Sequence, residues 1–242
     1  MTDVLKYFLK VHLPLLLLGI FLFFKIENLS IFFISFLSSY ILIYWIGYNF
    51  YHRTYAHKQV NLTNIGKIVV SFLGMFCLLG DALTYSLTHR YHHRYSDTEK
   101  DLHSPIHGFW HSFIGWCFKK NNLTLYLHLI KDYSLDKDRY LFVLKDYQIS
   151  IIYSTVLLLS IISYEVCVGL IMAMFFCFLI EMLSNAIFNH SKELKSAKNN
   201  KVYSWLSLSS YHKDHHDNPT SIQYNDPSLF LIKILKWIKV IA

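Results

Sequence analysis

The chain has 242 residues, of which 54% are hydrophobic, 17% aromatic and only 16% charged. Soluble domains carry about 25% charged residues, so the composition argues against a disordered chain or a water-solvated globule and for a membrane protein, while a mean hydropathy of +0.31 leaves part of it outside lipid. The net charge of +7 suits basic residues flanking an anionic membrane surface and gives no reason to expect nucleic acid as a partner.

Lipid-spanning helices need about 20 mainly apolar residues. In chain order, the first apolar run covers residues 8–24 and the second residues 30–50, with only Lys25 to Leu29 between them, so the two form a hairpin. The first run has no small-x-small cleavage site and reads as an anchor, not a removed signal peptide. A third run, Ile65 to Leu79, ends just before Asp81 and has the length of an interfacial or re-entrant helix. The stretch from Thr88 to Tyr147 is polar. Two further spans follow over residues 149–164 and 166–188, again tightly joined, and the polar tail ends in LFLIKILKWIKVIA, a basic amphipathic segment suited to a membrane surface. No repeat, low-complexity tract or long linker interrupts the chain, so residues 1–242 read as one domain.

With four spans in two hairpins, every Lys and Arg except Lys25 falls on one side of the membrane. The positive-inside rule then places both termini, residues 51–148 and residues 189–242 in the cytoplasm. Cys77, Cys117, Cys167 and Cys177 all lie in apolar stretches without a CxxC pair, which offers neither a disulfide framework nor a cysteine zinc site and fits a reducing compartment.

Histidine is the outlier, with 14 residues. Three clusters fall on the expected cytoplasmic side: His52-Arg-Thr-Tyr-Ala-His57, His89-Arg-Tyr-His92-His93 and His212-Lys-Asp-His215-His216, with His190 alone after the fourth span. Positions i, i+3 and i+4 share a helix face, so each HxxHH can aim three imidazoles at one place. His52 and His57 are about 140° apart on a regular helix; they flank a site, or the helix unwinds there. Imidazole suits zinc, copper, iron or nickel. One ion needs about four ligands, and nine clustered histidines are enough for two. His12, His107, His111 and His128 stand alone and read as structural.

HRTYAH, HRYHH and HKDHH resemble the three histidine boxes of the membrane-bound fatty acid desaturases of the acyl-CoA/stearoyl-CoA type. HRYHHRYSDTEKDLHSP followed by GFWHSFIGW is similar to the family's second-box segment, and the two helical hairpins match as well. The resemblance implies an all-α integral membrane protein, multi-pass in a bacterial inner membrane or the endoplasmic reticulum. Its four transmembrane helices carry a cytosolic helical cap that holds a histidine-ligated di-iron centre. It implies His52, His57, His89, His92, His93, His190, His212, His215 and His216 as iron ligands, and His103 as a recurring histidine that is not a ligand. Two departures stand out: Asn185 lies five residues before His190 where the family has four, and Leu208-Ser209-Ser210-Tyr211 replaces the family's Gly-Glu-Gly-Trp.

The implied activity is that of an oxidoreductase, an acyl desaturase. It introduces a cis double bond into a saturated acyl chain linked to CoA or lipid, with O2 as co-substrate and two Fe ions as cofactor. No haem or ferredoxin module is recognisable, so the expected electron donor is separate, a cytochrome b-type protein or a ferredoxin with its reductase. A di-iron membrane hydroxylase is the alternative; DLHSP and His190 argue against it. A non-enzymatic metal- or haem-binding protein would carry paired histidines inside its spans, whereas these lie beyond the span ends. Asp97, Asp101, Asp214 and Asp217 are candidate carboxylates for orienting ligands, and Glu181, inside the fourth span, is either a neutral bundle residue or close to the acyl tunnel.

Overall fold

The computed structural model describes residues 3–96, 98–119 and 135–187 together with Lys233. Their regular structure is helical, with no β-strand among the described residues. Four helices are long and apolar enough to cross a membrane: α1 (Leu5–Phe23), α2 (Leu29–Ala56), α6 (Arg139–Ile162) and α7 (Tyr164–Ile187). Between the pairs lie α3 (Asn64–Cys77), α4 (Ala82–Tyr95) and the short α5 (Phe109–Phe113).

The apolar runs mark the long helices to within about three residues at most ends, and three bounds carry structural meaning. α2 continues past Phe50 to Ala56, carrying His52 near its end, with His57 as the residue that caps it. α6 starts at Arg139 rather than at residue 149, because the polar segment before the apolar run is itself helical. The break before α7 falls at Ser163, whose extended backbone separates the two helices. The expected interfacial run becomes α3 and is followed by a 75° bend into α4. That bend passes through Leu78 and Gly80, both at positive φ (60° and 95°), where left-handed backbone ends a helix.

Side-chain caps start the helices where composition alone is ambiguous. Asn28 Oδ1 accepts from the Ile31 amide at 3.1 Å to open α2. Asp81 Oδ1 accepts from the amides of Leu83 and Thr84, both at 2.9 Å, and so opens the helix that carries the second cluster. Each such cap contributes about 1 kcal/mol. The two hairpins are tied at their turns as well: Glu165 Oε1 accepts from the Glu27 and Asn28 amides at 3.2 and 3.3 Å.

Packing between the long helices relies on small residues, as helix association in lipid requires. A Cβ at Gly169 on α7 would sit 2.7 Å from Ser35 Cβ on α2. Gly47 on α2 and Gly74 on α3 lie back to back, and a Cβ on either would overlap the Gly74 backbone or the Tyr51 ring. This close approach presses α3 against the turn of α2 that leads into the first cluster. Outward faces remain apolar and exposed, with Phe21, Ile34, Leu157 and Ile161 each more than half accessible, as lipid-facing residues are.

Candidate metal centre

The first two histidine clusters meet where α2 ends and α4 runs past it. α2 does not keep the regular period there: residues 41–48 and 52–56 adopt π-helical turns. A π turn bonds i to i+5, which carries residue 57 over residue 52. The His52 and His57 rings accordingly lie 4.7 Å apart between centroids. Of the two expected arrangements, the helix unwinds and brings both to one side. Two arginines hold the join. Arg90 Nε on α4 donates to the Ala56 carbonyl at 3.0 Å, and Arg53 donates to Gln59 Oε1 at 2.9 Å.

On α4, His89 and His93 face the same way, one turn apart. His89 Nε2 is 3.0 Å from the Nε2 atoms of His52, His57 and His93 alike. A ring nitrogen has a single in-plane position, either an N–H or a lone pair, so His89 Nε2 cannot form three hydrogen bonds at once. Nitrogens bound to one ion at about 2.1 Å and at right angles to each other are separated by about 3.0 Å. His52, His57 and His89, whose donor atoms lie within 4.8 Å of one another, therefore fit a shared cation, with spacing closer to right-angled coordination than to the roughly 3.4 Å of a tetrahedral site, and His93 adjoins them through His89. Burial disfavours the protonated form of His57 and lowers its pKa well below 6.5; His52, His93, Arg90 and Arg53 act in the same direction. A neutral imidazole is the form a metal ion binds.

His92, the middle member of HRYHH, does not join this quartet. Its ring is 6.2 and 5.9 Å from those of His89 and His93, and its Nδ1 meets Asp101 Oδ1 at 2.9 Å with both side chains buried. A histidine tied through Nδ1 to a carboxylate presents Nε2 as the ligating atom. Asp101 thus occupies the position of an orienting carboxylate. The His103 ring lies against that of His92, tilted by 34° with centroids 4.1 Å apart, and His92, Asp101 and His103 form a second cluster whose donor atoms lie within 4.8 Å of each other.

The solitary histidines behave differently. His12 is packed between Phe8 and Phe178, His111 pairs with the Leu102 carbonyl at 3.0 Å, and His107 lies 3.7 Å from the exposed Glu99. His128, His190, His212, His215 and His216, with Asp97, Asp214 and Asp217, lie outside the described residues.

A family profile for fatty acid desaturases matches residues 27–233. The chain belongs to the fatty acid desaturase family. It is thereby an oxidoreductase of desaturase or related di-iron oxidase type acting on fatty acyl substrates, and the histidine clusters of this desaturase-family chain are compatible with a metal centre. No curated protein matches the sequence significantly.

Three features of the site were not singled out from the sequence: Arg53, Arg90 and the link between Glu181 and the tyrosines of α2. Tyr44 and Tyr48 both donate to Glu181, at 2.6 and 2.8 Å. A carboxylate inside an apolar run is itself a signal of a functional or paired group, yet its partners lie 137 and 133 residues away in the chain. A cavity beside the quartet is bordered by His52, His89, Tyr85, Thr88, Glu181 and Asn185.

Proposed function

We propose that the chain is an O2-dependent fatty acyl desaturase that introduces a cis double bond into a saturated acyl chain carried by CoA or lipid. The observation that supports this best is the gathering of His52, His57 and His89 within 4.8 Å of one another, with His93 against His89, at the ends of apolar helices. In this reading residues 1–242 form one domain whose four long helices span the membrane in two hairpins. Both termini and the histidine site face the cytoplasm. The nine box histidines, His52, His57, His89, His92, His93, His190, His212, His215 and His216, hold two irons.

The overall reaction consumes the saturated chain, O2, two electrons and two protons, and yields the alkene and two waters. Bound iron supplies the oxidising power against an unactivated methylene that amino-acid side chains lack. The chain's own residues do the rest. His52, His57, His89 and His93 present neutral Nε2 atoms, and Asp101 holds His92 by its Nδ1–H. The helices exclude water from the face where the acyl chain approaches, so that two adjacent methylenes are held in place to within about 0.5 Å. Electrons arrive from a separate cytochrome b-type protein or ferredoxin with its reductase.

Gas chromatography of lipids from a desaturase-deficient host expressing the chain tests the proposal. A new cis-monounsaturated acyl chain is expected. Hydroxylated chains as the main product would reassign the protein as a di-iron lipid hydroxylase, and an unchanged profile in the presence of a competent electron donor would overturn the reading.

A further inference from the structure

Glu181 stands near the end of α7 in an otherwise apolar segment, and a hydrogen-bonded path leads from it to the centre of the quartet. Tyr48 donates to Glu181 Oε2 at 2.8 Å. The Tyr48 hydroxyl meets the Tyr85 hydroxyl at 2.8 Å, and the Tyr85 hydroxyl lies 3.4 Å from His89 Nδ1, a longer and weaker link. His89 is the histidine on which the other three nitrogens converge. The path crosses three helices, from α7 through α2 to α4.

Local geometry holds each link. Tyr44 and Tyr48 are one turn apart on α2 with rings stacked at 5.3 Å, and Tyr85 and His89 are one turn apart on α4, also stacked at 5.3 Å. Tyr44 gives its own hydroxyl to Glu181 Oε1 at 2.6 Å, so both carboxylate oxygens accept a proton donor. With Glu181 as the carboxylate, that sets the direction of the path. Tyr48 gives its proton to Glu181, and its oxygen is left to accept from Tyr85. The Tyr85 oxygen in turn accepts from His89 Nδ1–H. Every hydroxyl then donates once and accepts once. An imidazole that carries its proton on Nδ1 has a lone pair on Nε2, the atom that faces the quartet. A carboxylate in an apolar segment is costly, and packing α7 against α2 does not require one; apolar residues of similar volume often serve as well or better.

We propose that Glu181 is a positioning residue, its carboxylate holding His89 through Tyr48 and Tyr85 as the Nδ1–H tautomer with Nε2 aimed at the metal position. This inference rests on the metal-centre reading above. Iron(II) affinity of the purified full chain in detergent, measured against a chromogenic chelator, tests it in the wild type, Glu181→Gln, Tyr48→Phe and the double variant, with melting temperatures recorded alongside. Glu181→Gln removes the charge and leaves one acceptor oxygen for the two tyrosine hydroxyls, and Tyr48→Phe removes a link while keeping the ring. Each single change is expected to weaken iron binding about 10–100-fold, the usual effect of losing a partner behind a ligand. The double variant is expected to bind no worse than the weaker single, because the two changes break one path. Tyr44→Phe, which is off the path to His89, is expected to lose much less.

A Glu181→Gln protein that binds iron as tightly as wild type while melting lower would show a bundle staple and overturn the proposal, as would additive losses in the double variant. If Glu181→Gln fails to fold, Tyr48→Phe decides by the same comparison. A wild-type chain that binds no iron would refute the metal-centre reading beneath it, a different result from iron binding that ignores Glu181.

Discussion

Asp101 offers a graded perturbation whose size follows from its contacts. Its Oδ1 is 2.9 Å from His92 Nδ1 and also accepts from the His103 amide at 3.4 Å. Both side chains of the pair are buried, at 1% and 0% exposure. In Asp101→Asn, two donors face the same position, so the amide oxygen turns toward them and the His92 Nδ1–H still finds an acceptor. What is lost is the charge. Hydrogen bonds to charged groups contribute about 1.5–3 kcal/mol against about 0.5–1.5 for neutral ones, a difference of about 1 kcal/mol, or about fivefold in an equilibrium constant. Asp101→Ala removes the acceptor altogether. The His92 ring then loses the acceptor that fixes its Nδ1–H tautomer, and losing such a partner costs about 10–100-fold in metal affinity or activity.

The expected order is therefore wild type, then Asn about fivefold lower, then Ala about 10–100-fold lower. It should appear both in iron bound per chain at limiting iron and in unsaturated product per unit of expressed protein. An alanine variant with full iron affinity and activity would show that Asp101 orients nothing. An asparagine variant as impaired as alanine would refute the argument that the charge is only part of the effect.

His89→Ala and His93→Ala are expected to abolish activity and lower bound metal, because each removes a nitrogen of the quartet, while His107→Ala at the exposed contact with Glu99 retains most activity; metal content and lipid profile check both. Gly74→Ala forces a Cβ into the Tyr51 ring, and overpacking of this kind costs about 1–3 kcal/mol or more, which a thermal melt in detergent should show as a lower transition. The pKa of His57 is lowered in the fold by burial and by its cationic and histidine neighbours, so below about pH 6.5 the unfolded chain binds protons that the folded chain does not. Metal-free protein should consequently lose stability as pH falls through that value, and melting temperatures that stay level between about pH 7.5 and about pH 5.5 would contradict it.

Much of this protein is legible in one dimension because lipid is a demanding solvent. A stretch such as Leu13 to Phe23 has few alternatives to an apolar helix, so the positions of the long helices follow closely from composition. The pairing of His89 with His93 follows from the i, i+4 spacing of any helix, and the box spacings were enough to point to a metal centre and to the desaturase family.

What tertiary structure alone decided is how those pieces meet. The π turns that bring His57 over His52 are not encoded in the spacing of the two residues; on a regular helix they diverge. They occur where Gly47 and Gly74 let α3 press against α2 and where Arg90 of α4 takes the Ala56 carbonyl. His92 has the spacing of a quartet member, yet Asp101, nine residues on, draws it to a second cluster. Glu181 was conspicuous as a charge in an apolar helix, but the tyrosines that satisfy it come from α2, and only the packing of α7 against α2 could show them. Helical spacing and transfer free energy act between near neighbours in the chain. Close backbone approach, carboxylate partners and the convergence of ligands depend on segments far apart in sequence, which only the fold brings together.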